Sequence, residues 1–309
     1  MRRLSVAILI VVSVALGGAS IRRPASVLDD ALVFRVATFN IHKGASRQGG
    51  YDLERTIEAI ARLDADLVGV QEAMRNHTGF NCDDQPALIA AGLRRRTARP
   101  WTHVYVKSWI TENRQCLERG RGDDAESEGV AFFAPERIVA SSWVRLSEGR
   151  VGLAVRVASM PDVPVIVTHL EAVRLNKADR AREIAVLLPW AAGHGPGILM
   201  GDLNAEPEAS ELGPVRARYR DGWADAAARG RAGGVASGST RPNRVSRIDY
   251  VFYAPDLDLT LESVEVVDTS TSPEIGAVSD HHPVMATFRR GRREAPSAVL
   301  PMPVDRGRW

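Results

Sequence analysis

Short apolar, β-rich runs recur along most of this 309-residue sequence and outnumber the helical segments between them. The strand-like runs are 34–41, 67–70, 102–106, 129–133, 151–157, 163–170, 198–203, 248–253, 263–267 and 283–288. Helical spacing of apolar residues is seen in a segment that opens at Tyr51 and Asp52, in 85–93 and in 176–192. So many strands with so few helices predict two sheets packed together and flanked by helices in one domain.

Length and composition describe a globular protein. A chain of 309 residues can hold one large α/β domain or two small ones, and 45% hydrophobic with 25% charged residues excludes a largely disordered chain. We predict that a single domain spans residues 33–290 and follows a linker at 22–32. The segment 291–309 is rich in proline and is predicted to be a disordered tail.

The N-terminal segment, residues 1–21, has the pattern of an export signal. Arg2 and Arg3 precede an apolar run that ends in small residues, an order typical of a secretory signal peptide. The apolar character extends over 4–21, close to the length of a membrane span, and two further arginines follow it. A cleaved signal peptide and an uncleaved membrane anchor are therefore both open. Either one predicts an exported protein, periplasmic or extracellular.

Net charge gives a weak indication about partners. Arg2 and Arg3 are the only charged residues among the first twenty, so their removal takes the formal net charge from +2 to zero. A neutral chain lacks the broad positive field that favours non-specific binding to nucleic acid. Two local groups of arginines remain: Arg94, Arg95, Arg96 and Arg99, and then Arg114, Arg119 and Arg121. A solvated surface and the border of a nucleic-acid cleft are both consistent with these groups.

Cys82 and Cys116 are the only cysteines of the sequence. Both stand in polar, loop-like surroundings, and export would place them in an oxidising compartment, where disulfides form. We therefore favour a Cys82–Cys116 disulfide over two buried free thiols. Neither cysteine has a CxxC partner nearby, which argues against a zinc site.

Polar residues that can bind a metal ion or transfer a proton recur at the ends of the apolar runs. They are Asn40 in VATFN, Glu72 in LVGVQE, His169 in VIVTHL, Asp202 and Asn204 in ILMGDLN, Asp249 in RIDYVF, and Asp280 and His281 in SDHHP. Taken singly, such a residue is more often a cap, a turn residue or an ion-pair partner. Strand ends hold side chains rigidly, however, and their repeated use here predicts a common functional site.

In this order, the motifs TFNIHKG, QE, THL, GDLNAEP, RIDYVFY and SDHHPV resemble those of the endonuclease/exonuclease/phosphatase superfamily. That superfamily includes DNase I-like nucleases, abasic-site endonucleases, bacterial sphingomyelinases and inositol polyphosphate phosphatases. The resemblance extends over about residues 33–288 and leaves the stretch 74–127 without a match. It implies an α/β fold, a four-layer α/β sandwich of two packed, mainly antiparallel β-sheets flanked by helices.

The resemblance also implies a metal ion. Glu72 is expected to be the principal ligand of Mg²⁺, or of Mn²⁺, with Asn40 close by and Asp280 as a further acidic group at the metal. Carboxylate and amide oxygens are the ligands that Mg²⁺ prefers, and the ion usually keeps several of its waters.

Catalytic roles are implied for the other residues of the set. Asp202 is expected to orient or deprotonate the attacking water, and Asn204 to bind a phosphate oxygen. His281, held in orientation by Asp249, is expected to lie opposite the metal, and His169 to donate to a second phosphoryl oxygen. A phosphate ester is anionic, and its hydrolysis needs donors and positive charge around the phosphoryl group.

These expectations describe a metal-dependent phosphoesterase that hydrolyses a phosphodiester or a phosphomonoester through an activated water. Nucleic acid, phospholipid and a small phosphorylated molecule all stay open as substrates, because loops usually set the substrate. The alternative is a catalytically inactive binding module of the same fold. Such a module should have lost Glu72, Asp202 or His281, and all three are present. No sequence feature indicates an oligomeric state.

Overall fold

The structure, a computed structural model, describes residues 32–46, 50–173, 175–269 and 278–291. Apart from Leu32 and Gly291, the predicted signal or anchor, the linker and the tail lie outside these residues and stay predictions. Of the helices that the described residues form, none is both long enough and apolar enough to cross a membrane.

Two mixed β-sheets form the centre of the described part of the chain. Their strands are β1 (Leu32–Asn40), β2 (Leu67–Arg75), β3 (Thr102–Ile110), β4 (Ser127–Ala134), β5 (Ile138–Ser147), β6 (Arg150–Val157), β7 (Met160–His169), β8 (Ile198–Asp202), β9 (Arg220–Asp221), β10 (Ala232–Gly234), β11 (Asp249–Tyr253), β12 (Leu259–Val266) and β13 (Val284–Arg290). The first sheet has the order β10-β12-β13-β1-β2-β4-β3, and the second has the order β5-β6-β7-β8-β11-β9. Neighbouring strands are mostly antiparallel; β1 with β2, β7 with β8 and β10 with β12 are parallel.

Six α-helices lie in the described part of the chain. They are α1 (Leu53–Arg62), α2 (Gln85–Thr97), α3 (Gln115–Glu118), α4 (Lys177–Gly193), α5 (Gly213–Arg216) and α6 (Gly222–Ala228). Helices α1 and α2 pack on the outer face of the first sheet, and α4 and α5 pack on that of the second. The two inner faces share one apolar core, to which Val167, Met200 and Phe288 belong. The predicted four-layer α/β sandwich is confirmed.

Local sequence explains where the first two helices begin. Asp52 caps α1, because its carboxylate accepts a hydrogen bond from the backbone N–H of Arg55 at 3.2 Å. Ile57 and Ile60 are then buried on one face of the helix, which contributes roughly 1.5–3 kcal/mol each. Asp84 caps α2 in the same way. The first helix was predicted from this cap and apolar spacing; the second was predicted only as a helix over 85–93, and the structure extends it to Thr97.

Strand β5 was not predicted from the apolar pattern. It lies at the edge of the second sheet, and most of its residues are partly or fully exposed. Ser141 and Ser142 interrupt its apolar residues. An edge strand has one neighbour and little buried surface, so its sequence carries a weaker signal than that of a central strand.

Cys82 and Cys116 form the disulfide that the sequence favoured. The bond joins the loop between β2 and α2 to helix α3 and spans 34 positions of the chain. Both cysteines are buried. The disulfide therefore joins two parts of the stretch 74–127, which the family resemblance left without a match.

Candidate active site

Three neighbouring strands of the second sheet place three of the predicted residues side by side. Parallel strands β7 and β8 pair His169 with Asp202, and antiparallel strands β8 and β11 pair Asp202 with Asp249. Gly201 permits the first pairing: its φ is +147°, and a Cβ there would lie 1.9 Å from the carbonyl oxygen of Thr168. Glycine is therefore required where these two strands approach each other.

Asn40 and Glu72 come from the first sheet, where β1 and β2 are parallel neighbours. Glu72 lies in a β-bulge of β2 and has a φ of +57°. A bulge re-aims a side chain out of the regular alternation of a strand. Asn40 joins the two sheets, because its Nδ2 donates both to Oε1 of Glu72 at 2.9 Å and to Oδ2 of Asp202 at 3.1 Å.

Asp249 and His281 form a buried carboxylate–imidazole pair. Oδ2 of Asp249 lies 2.8 Å from Nδ1 of His281, and Nε2 of the same ring lies 3.6 Å from Oδ2 of Asp202. Burial alone lowers the pKa of His281, but the carboxylates of Asp249 and Asp202 outweigh it and raise the pKa to about 9. Burial, followed by the charge of Asp249, raises the pKa of Asp202 to about 7. Asp202 can therefore accept a proton near neutral pH.

Arg150 determines which nitrogen of the second histidine carries a proton. Its guanidinium lies 3.2 Å from Nδ1 of His169, and since a guanidinium only donates, Nδ1 must accept. Burial and then the charge of Arg150 lower the pKa of His169 to about 3, so the ring is neutral. Its proton is then on Nε2, which lies 3.7 Å from Asp202 and has no hydrogen-bond partner among the described residues. Nε2–H is therefore a buried donor that no group of the described residues uses.

Lys43 and Glu128 extend the site beside Glu72. Nζ of Lys43 lies 2.9 Å from Oε2 of Glu72 and 3.3 Å from Oε2 of Glu128. Burial raises the pKa of Glu72, but the charge of His169, which is protonated in the acidic range where Glu72 titrates, and then the charge of Lys43 outweigh burial and lower the pKa to about 2. Burial and then the charge of Glu72 raise the pKa of Glu128. Glu72 is therefore a carboxylate at physiological pH.

Asp280 and Asn204 complete the set of predicted residues. Oδ1 of Asp280 lies 3.9 Å from Nε2 of His281, and its Oδ2 accepts from Nη2 of Arg241 at 3.0 Å. Asn204 has a φ of +51°, and its backbone N–H donates to Oδ1 of Asp202 at 2.9 Å. The side-chain amide of Asn204 donates to a backbone carbonyl just beyond β7 at 3.0 Å. One of its two amide hydrogens is thus engaged within the protein.

Arg241 also affects the protonation of His281. Its Nη1 lies 3.1 Å from Nε2, and a donor in that position requires the lone pair of the ring nitrogen. The raised pKa favours an imidazolium, whereas this contact favours a neutral ring with its proton on Nδ1. Nδ1 carries a proton toward Asp249 in both forms, so the contacts of Nε2 decide, and there Arg241 at 3.1 Å is closer than the Asp202 carboxylate at 3.6 Å. We therefore assign the neutral ring to the substrate-free site and the imidazolium to a site in which Nε2 faces an anion.

Two groups of oxygen and nitrogen atoms have the chemistry of a metal site. Asp202, Asp249 and His281 offer three ligand atoms that lie within 4.8 Å of one another. In this group, however, the Asp249 carboxylate holds Nδ1 of the ring, and a guanidinium already faces Nε2. Glu72 offers an ionised, 16% exposed carboxylate of the type that a hard divalent cation prefers, but Nδ2 of Asn40 donates to its Oε1 and Nζ of Lys43 lies 2.9 Å from its Oε2, so a cation bound here would displace these two donors.

The structure brings all eight predicted residues together. Asp202 lies at their centre, because Asn40, Asn204, His169 and His281 all lie within 3.7 Å of its carboxylate. Glu72 joins the group through Asn40, and Asp249 and Asp280 join it through His281. The individual catalytic and metal-binding roles of these residues stay predictions.

Sequence reasoning missed four further residues of the site: Lys43, Glu128, Arg150 and Arg241. The sequence did indicate Lys43, because this residue lies within the TFNIHKG motif. Glu128 stands next to an apolar run in the same way as the predicted acids. The two arginines had no comparable signal, because arginine is common throughout this sequence and their contacts depend on the fold.

The first arginine group lies on the outer helical layer, away from these residues. Arg95 and Arg96 at the end of α2 pair with Glu54 of α1, and Arg99 pairs with Asp66. Their charge is thus largely balanced within the protein. This arrangement supports the interpretation of that group as a solvated surface.

The arrangement has the parts needed for hydrolysis of an anionic ester. Asp202 can take a proton from water, His169 and His281 present ring nitrogens toward it, and Glu72 can hold a cation. Donors and positive charge placed before the reaction begins stabilise a transition state whose charge is spread over phosphoryl oxygens.

Known proteins share this architecture. The catalytic domain of human nocturnin is 20% identical to this chain, with a TM-score of 0.60, covering 86% of this chain and 98% of that one. A mannosyl-6-phosphatase from Bacteroides thetaiotaomicron is 16% identical, with a TM-score of 0.58, covering 82% of this chain and 99% of that one. Among curated proteins, none matches the sequence.

The family is shown by the sequence itself. The model of the endonuclease/exonuclease/phosphatase family matches residues 37–281, which include all eight predicted site residues. A member of that family from Beutenbergia cavernae is 21% identical, with a TM-score of 0.62, covering 84% of this chain and 72% of that one. The chain belongs to the endonuclease/exonuclease/phosphatase family and is a hydrolase of the phosphoesterase type.

Proposed function

We propose that this protein hydrolyses a phosphate ester with the help of Mg²⁺, or of Mn²⁺, by in-line attack of a water that Asp202 activates. One observation carries the proposal: the buried carboxylate of Asp202 lies within 3.7 Å of Asn40 and of both site histidines. The Asp202 carboxylate, surrounded in this way, can contact the attacking water while the neighbouring side chains bind the phosphate ester. Such close placement of reacting groups contributes much of the rate in enzyme catalysis.

Each residue of the site has its own proposed role in the hydrolysis. Asp202, with a pKa of about 7, takes a proton from the attacking water. His169 donates from Nε2 to a phosphoryl oxygen, and Asn204 is proposed to donate to the same group. His281, with Nδ1 held by Asp249, binds another phosphoryl oxygen on its Nε2 side. A cation held by Glu72, Asn40 and Asp280 would supply Lewis-acid stabilisation of the phosphoryl charge.

The ion pairs of the first arginine group favour a small or lipid substrate over nucleic acid. Arg95, Arg96 and Arg99 are engaged with acidic neighbours on the outer helical layer and do not form a positive groove. Binding of nucleic acid draws most of its affinity from such grooves and falls steeply with salt. The mannosyl-6-phosphatase among the similar structures acts, by its name, on a phosphorylated sugar. We propose a phospholipid or a small phosphorylated molecule as the substrate.

We also propose that the protein is exported, with residues 1–21 as its signal peptide or membrane anchor. The Cys82–Cys116 disulfide supports this proposal, because disulfides persist in oxidising compartments and are rare in the cytosol. Fractionation of cells that express the full chain is expected to place it outside the cytoplasm. Recovery of the full-length protein in the cytosol, with both thiols reduced, would contradict export.

A panel assay tests the proposed function. The purified protein is incubated with DNA, RNA, sphingomyelin, inositol phosphates and p-nitrophenyl phosphate esters, with Mg²⁺, with Mn²⁺ and with EDTA. We expect metal-dependent hydrolysis of at least one ester and none in EDTA. Hydrolysis that EDTA leaves unchanged would show that the reaction does not require a divalent metal ion. Absence of hydrolysis throughout, with a folded protein, would favour the inactive binding module.

A further inference from the structure

Arg241 stands on a loop that is tied directly to the carboxylate–imidazole pair. Oγ1 of Thr240 accepts from the backbone N–H groups of Ile248 and Asp249 at 3.1 and 3.3 Å. The carbonyl of Thr240 accepts from the backbone N–H of His282 at 2.7 Å. The residue just before Arg241 is thus bonded both to the segment that carries Asp249 and to the segment that carries His281.

The same loop is closed on itself by a buried hydroxyl. Oγ of Ser239 accepts from the backbone N–H of Ser246 at 3.0 Å and donates to the carbonyl of Arg244 at 2.7 Å. Both serines are buried. Pro242 follows Arg241 and restricts its backbone to extended conformations. The backbone of Arg241 is therefore held in place independently of its side-chain contacts.

The guanidinium of Arg241 lies against Nε2 of His281 and the carboxylate of Asp280. Nη1 lies 3.1 Å from Nε2 of His281, and Nη2 lies 3.0 Å from Oδ2 of Asp280. The side chain of His281 is 4% exposed and that of Arg241 is 16% exposed. Nε of Arg241 is buried and has no hydrogen-bond partner among the described residues. An anion bound at Nε2 of His281 would therefore lie beside this guanidinium.

We propose that Arg241 binds the scissile phosphoryl group and makes the site selective for phosphomonoesters over phosphodiesters. The inference rests on the proposed function and narrows its substrate class. In the reaction, the oxygen of water forms a bond to phosphorus and the bond to the leaving oxygen breaks. The leaving oxygen takes up a proton, and the products are an alcohol and inorganic phosphate.

The selectivity follows from counting oxygens and charges. A phosphodiester has two non-bridging oxygens and one negative charge, which the cation and the two histidines can satisfy. A phosphomonoester has a third non-bridging oxygen and, at neutral pH, a second negative charge. The fork of a guanidinium suits that added oxygen, because arginine binds phosphate through two parallel N–H groups. A diester would place an uncharged, carbon-bearing oxygen against the same guanidinium.

The test compares two substrates with the same leaving group, p-nitrophenyl phosphate and bis(p-nitrophenyl) phosphate, both with Mg²⁺. Arg241→Gln removes the charge and the guanidinium fork but keeps the Cβ–Cγ–Cδ stem of the side chain. Charge-assisted hydrogen bonds to phosphate lead us to expect a loss on the order of 10- to 100-fold in kcat/KM for the monoester. The diester should lose less than about fivefold by the same reasoning. The matched control is Arg244→Gln, an exposed arginine of the same loop, which should leave both values unchanged.

A binding measurement provides a second readout. Inorganic phosphate and dimethyl phosphate are titrated against the wild type and Arg241→Gln by calorimetry. We expect the affinity for phosphate to fall on the order of tenfold or more in the variant and that for dimethyl phosphate to change little. Unfolding in urea shows whether the variant is folded, and Arg241→Lys, which keeps the charge without the fork, should recover part of the phosphate affinity.

Two results of the kinetic comparison would overturn the proposed role of Arg241. Equal losses on both substrates would mean that Arg241 only positions Asp280 and His281, and unchanged values would mean that it does not bind the phosphoryl group. If the wild type hydrolyses neither of these esters nor any other ester of the panel, the proposed function fails on its own. The calorimetric comparison of phosphate with dimethyl phosphate then still supports or overturns the role of Arg241.

Discussion

The histidine at the end of β7 depends on an arginine that lies 19 positions earlier in the chain. Arg150 donates to Nδ1 of His169 and so directs the remaining ring proton into the site through Nε2. A histidine without such a partner could carry its proton on either nitrogen. Fixing the tautomer makes His169 a neutral donor, which suits a phosphoryl oxygen and leaves proton uptake to Asp202.

Substitution of Arg150 tests this positioning role. Arg150→Gln is expected to lower kcat on the order of 10- to 100-fold, because partners that orient a working side chain have effects of this size. The imidazole ¹⁵N shifts of His169 should also change, from a ring protonated at Nε2 to a mixture of tautomers. A purely structural arginine would not alter these shifts in a folded protein.

The control for this experiment is Arg119→Gln, an exposed arginine on the loop beyond α3. It makes the same change of charge and should leave both kcat and the His169 shifts as in the wild type. If Arg150→Gln were folded, fully active and unchanged in its imidazole shifts, the assignment of the His169 proton to Nε2 by Arg150 would be wrong.

At the scale of elements, the register of β7, β8 and β11 places three site residues in one row. The close contact of β7 with β8 depends on Gly201, where a Cβ would lie 1.9 Å from a backbone oxygen of Thr168. Gly201→Ala must separate the strands or strain the backbone. We expect a loss on the order of 1–3 kcal/mol in the free energy of unfolding in urea.

The same substitution should also affect catalysis, because His169 and Asp202 are register partners one residue further along. We expect kcat to fall even at low temperature, where the variant is fully folded. Gly193→Ala is the matched control, since no atom lies within 4 Å of a Cβ there and its φ is not positive. A Gly201→Ala protein with wild-type stability and activity would contradict the requirement for glycine.

The Cys82–Cys116 disulfide also holds separate elements together. It fixes the connection between β2 and α2 to α3 across 34 positions of the chain. In the chain-entropy description, closing a loop of this length contributes about 3–4 kcal/mol. Reduction, or Cys82→Ser with Cys116→Ser, is therefore expected to lower the melting temperature measured by circular dichroism. An unchanged melting temperature after complete reduction would show that the bond does not stabilise the fold.

At the scale of the whole molecule, the sandwich and the centre of the site could be predicted for the same reason. Buried strands appear in a sequence as apolar runs, and the functional residues stand at the ends of those runs. His169, Asp202 and Asp249 come together because their strands are neighbours in register. A sequence that specifies the strands thus also indicates which polar residues share an edge.

The rest of the site could not be predicted, because it depends on long side chains that reach across the fold. Arg241 contacts His281, which lies 40 positions later in the chain, and the sequence around Arg241 does not distinguish it from the other arginines. Strand β5 was missed because it is an exposed edge. Such features depend on tertiary contacts and leave no periodic pattern in the sequence.

Residues of both sheets are expected to act as one hydrolytic site. A double-mutant cycle on Glu72→Ala, in the first sheet, and Asp202→Ala, in the second, measures how the two residues depend on each other, with kcat/KM for the best ester of the panel as the readout. Each single variant should lose on the order of 100-fold or more, and the double variant should be about as inactive as the worse single one, since residues that act as a unit are not additive. Losses that multiply, or a single variant that keeps wild-type activity, would contradict this expectation.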